Sequence, residues 1–295
     1  MPHGARSLSM LLPARRRVVV AKGYHMATRS SAVDGSPAVV SPWSAHTRWA
    51  WLLVAGAWAI AAAATFAGQR ALIDHHFLLE ESGLAWPVAA LVFLACWQVM
   101  VAAMMVPTSM PALALVPGAS RGARRSPTRA KLAFLVGFAA PWTAYALLAF
   151  AGDTAIHRAV DAWPWLAAHA FLIGAGTLAV AGVFQVTALK GRCLAVCHDP
   201  RALFAQHYRA DMGPAWRLGA RYGTVSIGCC WGLMLIMFGI GVGGLGWMAA
   251  LTGAMVIEAT FPRGRQTRLA LGVVLLLLAG LWLLHPGWLV PAGVS

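Results

Sequence analysis

From residue 49 onward the chain alternates long apolar runs with shorter polar, mostly basic segments. A helix needs about 20 predominantly apolar residues to cross about 30 Å of hydrocarbon. Seven runs approach that length: 49–67, 86–106, 132–151, 166–187, 222–240, 245–261 and 268–286. The pattern predicts an all-α protein, a polytopic transmembrane helical bundle of about seven spans, forming a single domain over residues 46–290. Only Gly241-Val242-Gly243-Gly244 separates the fifth and sixth runs, which predicts a tight hairpin. Pro107 and Pro111 follow the second run. Proline lacks an N–H and clashes with the preceding turn, so these two are expected to end that helix.

Composition strengthens the membrane reading. Hydrophobic residues make up 60% of the 295 positions and charged ones 11%, against about 25% charged in soluble domains. Such a chain cannot cover a water-facing surface, so the lipid bilayer is its expected principal partner. The net charge of +14 would suggest nucleic acid on a soluble protein. Here the basic residues cluster between apolar runs, as in cytoplasmic membrane loops, and no nucleic-acid partner is expected. All of the 23 Lys and Arg residues except Arg70 and Arg158 fall in the N-terminal tail and the loops after the second, fourth and sixth runs. The N-terminus is therefore expected in the cytoplasm and the C-terminus in the periplasm. Residues 1–45 lack a sustained apolar run and read as a disordered basic cytoplasmic tail. Met26 opens a stretch that reads as an alternative start to Met1.

The candidate chemistry is soft. Five cysteines, an odd number with two adjacent, do not form the framework of an exported disulfide protein. Cys229 and Cys230 sit inside an uncharged apolar run, and thiols and thioethers select Cu(I) and similar ions. Cys230 and Met234 share a helical face, and Met100 and Met104 form a second i, i+4 pair. Adjacent helical positions diverge by about 100°, which assigns one thiol of the pair to an ion and the other to packing. Glu258 is the acidic residue within an apolar run, and an intramembrane carboxylate marks a functional site or pairs with a cation such as Arg263 or Lys190. Cys193 and Cys197 lie past the fourth run, in a basic segment expected to be cytoplasmic, where they would relay a metal to the membrane site. Asp74-His75-His76 and Glu80-Glu81 read as a solvated outer patch. Neither a phosphate-cradling Gly-rich motif nor a hydrolase signature is present, so an enzyme is not expected.

The blocks Trp97–Pro111, Ala181–Lys190 with Cys193 and Cys197 through Pro200, and Gly219–Glu258 with Gly228-Cys229-Cys230-Trp231 occur in an order that resembles a bacterial family of predicted metal-binding integral membrane proteins. That family is formally a domain of unknown function, often labelled copper chaperone. The chain carries Tyr222 and Ser226 where members often have histidine and a further cysteine. The resemblance implies soft-metal handling in the bacterial inner membrane. Together with the residues, it makes Cys229, Cys230, Met234, Met100, Met104, Cys193, Cys197 and Glu258 the candidate metal site. The expected cargo is Cu(I) or another soft metal, exchanged with a metal donor or acceptor protein. The alternatives are a small-solute or ion transporter with Glu258 as its coupling carboxylate, and a non-catalytic membrane subunit of a larger complex.

Overall fold

The computed structural model describes residues 47–68, 84–119, 126–209, 214–239, 245–260 and 264–285, all within one unit, Val40–Ser295. The expected tail 1–45, the Gly241–Gly244 hairpin and the Asp74–Glu81 patch lie outside the described residues. The helices are α1 (Arg48–Phe66), α2 (Trp86–Met104), α3 (Val106–Ala119), α4 (Pro127–Ala162), α5 (Pro164–Ala168), α6 (Phe171–Val186), α7 (Ala188–His198), α8 (Arg201–Arg209), α9 (Ala215–Gly239), α10 (Leu245–Thr260) and α11 (Gly264–Leu284). Among the described residues there is no strand.

Each of the seven apolar runs carries a helix, but their lengths differ from expectation. Five, α1, α2, α4, α9 and α11, are long and apolar enough to cross a membrane, and α6 with α7 forms a sixth, bent pair. The seventh, α10, has 16 residues, about 24 Å at 1.5 Å per residue. Pro262 follows two residues beyond its end, and helices stop at or before the residue preceding a proline.

Cross-helix contacts set the helix directions. Phe93 on α2 meets Phe150 on α4 with ring centroids 4.7 Å apart, and Gln98 Nε2 donates to Thr143 Oγ1 at 2.8 Å, so α2 and α4 are antiparallel. Phe134 meets Tyr222 at 5.9 Å, and the Tyr145 hydroxyl donates to the Trp231 carbonyl at 3.0 Å, so α4 and α9 are parallel. Glycines let these two approach closely: a Cβ on Gly219 would run into the Phe134 carbonyl, and one on Gly137 into the Trp216 carbonyl. Such small-residue seams are how helices pack where lipid removes the hydrophobic drive between them.

Two segments depart from the sequence reading. As expected, α2 ends at Met104 just before Pro107, but the helical path does not stop there. The chain turns once at Met105 and resumes as α3, with Pro111 and Pro117 inside it. Pro107 has no N–H for the Ala103 carbonyl, which accepts from Trp58 Nε1 on α1 at 3.1 Å instead, and the Thr108 and Ser109 hydroxyls donate locally to the Met105 and Val106 carbonyls at 2.7 and 2.8 Å. Met110, Leu113 and Val116 on α3 are buried. The second departure is the expected basic loop 188–221, which contains α7 and α8. Thr187 breaks the fourth run with extended backbone, φ −69° and ψ 149°, and α7 leaves α6 at 67°. The Thr187 hydroxyl accepts from the Lys190 N–H at 3.3 Å, so it caps α7 and starts a new helix where periodicity alone shows continuity.

Candidate metal centre

Cys229 and Cys230 sit on the stretch of α9 that follows the glycine seam with α4, and both are buried. Opposite them lies α7, which packs on α9, α10, α3 and α6. Lys190, Leu194 and Cys197 are its buried residues. Their spacing, i, i+4, i+7, makes one stripe.

The stripe brings sulfur to sulfur. Cys197 Sγ lies 3.5 Å from Cys229 Sγ, and Cys229 Sγ lies 3.2 Å from Cys230 Sγ. The expected divergence of the adjacent pair is therefore wrong: rotation about the Cα–Cβ bonds closes the gap that the backbone opens. Cys229 also donates to the Ser226 carbonyl at 3.1 Å, which fixes its rotamer. The buried Tyr222 hydroxyl hydrogen-bonds Cys197. Cys193 seats against Gly228, where an added Cβ would meet its Sγ at 2.6 Å. The expectation of a separate cytoplasmic relay is corrected accordingly. Cys193 and Cys197 belong to the same centre as Cys229 and Cys230, because the break at Thr187 folds α7 back against α9.

Residues 94–283 match the PpoB2 family, described as copper chaperone. They make up more than half of the chain and include every residue of this centre. The chain belongs to the PpoB2 copper chaperone family. No curated protein and no solved structure matches the chain. Tyr222 and Ser226, the positions where the chain differs from the pattern noted above, both touch the thiols.

A polar group adjoins the sulfurs. Lys190 Nζ donates to Glu258 Oε2 at 2.7 Å, with the two side chains 0% and 2% exposed. Of the cationic partners expected for Glu258, Lys190 pairs with it, and Arg263 lies outside the described residues. Lys190, counted from sequence among water-facing loop cations, is thus a core residue. Arg268 on α11 reaches back to the break and donates from Nη1 to the Thr187 carbonyl at 3.0 Å. Gln185 is fully buried beside Glu258, and its amide oxygen and nitrogen lack hydrogen-bond partners of normal geometry, as does Glu258 Oε1.

The donor set suits a family of copper carriers, since three converging thiols are what a soft ion takes. The spacing is closer than an ion requires: sulfurs sharing an ion at about 2.3 Å stand roughly 3.8 Å apart. Correspondingly, among the described residues no group of three or more His, Cys, Asp or Glu has the spacing of a metal site. To reach that spacing the two sulfur pairs must part by roughly 0.3 and 0.6 Å.

The methionines divide. Met234 is fully buried on α9, one turn from Cys230. Met100 is partly buried and Met104 fully buried. Both stand on α2, which packs chiefly on α1, α3, α4 and α10, not on the α7–α9 interface that holds the sulfurs. Glu258 is occupied by Lys190 through Oε2. The sequence-based candidate site leaves out Gln185 and Arg268. The available signal was a glutamine inside an apolar run two residues before a helix-capping threonine.

Proposed function

We propose that this protein is a multi-pass inner-membrane carrier of Cu(I), not an enzyme, that holds the ion among Cys197, Cys229 and Cys230. The single observation that carries this is the unbroken run of sulfurs from α7 to α9, at 3.5 and 3.2 Å. Thiolates are the ligands of choice for Cu(I), and binding releases their protons. Membership in the copper chaperone family supports the choice of ion. The charge distribution supports a cytoplasmic N-terminus and a periplasmic C-terminus, and a metal donor or acceptor protein would exchange the ion. The test is metal content by mass spectrometry of detergent-purified, reduced protein from copper-supplemented cells. The wild type should carry near-stoichiometric copper, and Cys229→Ser/Cys230→Ser should carry none. Equal copper in both would remove this site.

A second reading, movement of the ion across the bilayer, is favoured by the break between α6 and α7. Broken spans with buried charged groups are the usual construction of transporter binding sites. Copper uptake into proteoliposomes that is sensitive to Glu258→Gln would support it.

A further inference from the structure

The sulfurs have charged neighbours that are not ligands. Lys190 shares the buried stripe of α7 with Cys197 and lies one turn before Cys193. It stands within electrostatic range of both Cys229 and Cys230, and Glu258 within range of Cys230. The Lys190–Glu258 pair is neutral as a unit. Arg268 adds one more positive charge: its Nη1 bonds the Thr187 carbonyl, its Nε lacks a hydrogen-bond partner, and its guanidinium lies over Gly191. By formal charge this polar group is therefore net positive. Copper loading has the opposite sign. One Cu(I) bound by two of the three thiols displaces their two protons to water, the third thiol staying protonated, and leaves a copper dithiolate of charge −1. An anion of that kind, withdrawn from water, is costly unless a cation stands beside it.

We propose that Lys190 is a specificity-determining residue of the thiol centre: its ammonium is the counter-charge of an anionic metal–thiolate, and Glu258 holds that ammonium in place before the ion arrives. The proposal rests on the Cu(I) reading above. Glu258 is then a competitor for Lys190 and not a metal ligand, which reverses the role its position in an apolar run suggests. Arg268, tied to the backbone at Thr187, supplies the standing positive charge that makes the exchange of partners electrically neutral.

The test is Cu(I) affinity of the full chain in detergent, by competition with a chromophoric Cu(I) chelator under reducing conditions. Lys190→Met/Glu258→Gln removes the pair together and spares the fold an isolated charge. It should weaken Cu(I) binding roughly tenfold or more. Glu258→Gln alone frees the ammonium and should bind at least as tightly as wild type, whereas Lys190→Arg should stay within roughly threefold. Damage to packing would weaken all three, so opposite signs for the two neutralising changes are the signature. Wild-type affinity in the double variant, or weakened binding in Glu258→Gln, overturns the proposal. A wild type without copper overturns the Cu(I) reading itself, a result separable from any pattern among the variants.

Discussion

Cys197 Sγ on α7 stands 3.5 Å from Cys229 Sγ on α9, although 32 positions separate them in the chain. The contact exists because Thr187 ends α6 at the close of the fourth run and the chain resumes as α7 at 67° to it. A thiol in a basic segment thereby becomes a core residue of the bundle.

That proximity is directly testable. In a variant whose other cysteines are serine, Cys197 and Cys229 should form a disulfide under mild oxidation with a small-molecule disulfide. Thiol-alkylation mass spectrometry would report it. A Cys193/Cys229 pair should cross-link less, because Cys193 seats on Gly228. Equal or reversed yields would contradict the arrangement.

Cys197→Ser should lower Cu(I) affinity about as much as Cys229→Ser, since both belong to the same run of sulfurs. Competition against a chromophoric chelator gives the comparison. A Cys197→Ser protein that binds like wild type would return Cys197 to the status of a separate relay.

Gly228→Ala places a methyl 2.6 Å from Cys193 Sγ. The thiol has to move, and α7 with it, at a cost of about 1–3 kcal/mol. Thermal unfolding in detergent should show the loss, and Cys193→Ala should restore most of it by removing the clashing sulfur. Gly219→Ala is harsher, because its neighbour is the Phe134 carbonyl and backbone cannot rotate away. No side-chain change on α4 should rescue it.

Lys190→Met alone leaves Glu258 buried without its cation. Breaking such a pair costs about 3–5 kcal/mol, whereas replacing both members is often close to neutral. Lys190→Met should therefore unfold at a lower temperature than Lys190→Met/Glu258→Gln. The reverse order would mean that the pair contributes nothing to holding α7 against α10.

Much of the fold was legible in the apolar runs, because length and hydropathy decide which segments the bilayer can hold. The interior was less so. Lys190 is legible as one of two candidate partners for Glu258, but its basic neighbours give no sign that it is fully buried, nor that Arg268 reaches back to Thr187. Pro107 marks the end of α2 as a proline should, but the restart as α3 is not legible, because it depends on Trp58 of another helix taking the Ala103 carbonyl. Of the candidate metal site, Cys197 and Cys230 each lie against Cys229, while Met100 and Met104 stand on α2, which packs chiefly on other helices than α7 and α9. Depth along a span can be estimated from one chain, but azimuth cannot. Azimuth is what joins Cys197 to Cys229.

The two walls of the thiol centre are built unequally. Upstream of Cys229, α9 is pressed against α4 through Gly219 and Gly137 with no room for a methyl group, so it behaves as a fixed jaw. Its counterpart, α7, joins α6 through a single non-helical residue and is held by Arg268 on the Thr187 carbonyl and by the buried Lys190–Glu258 pair. The wall that side-chain substitutions can loosen is therefore α7, whereas α9 is set by main-chain contact and yields only to changes at its glycines.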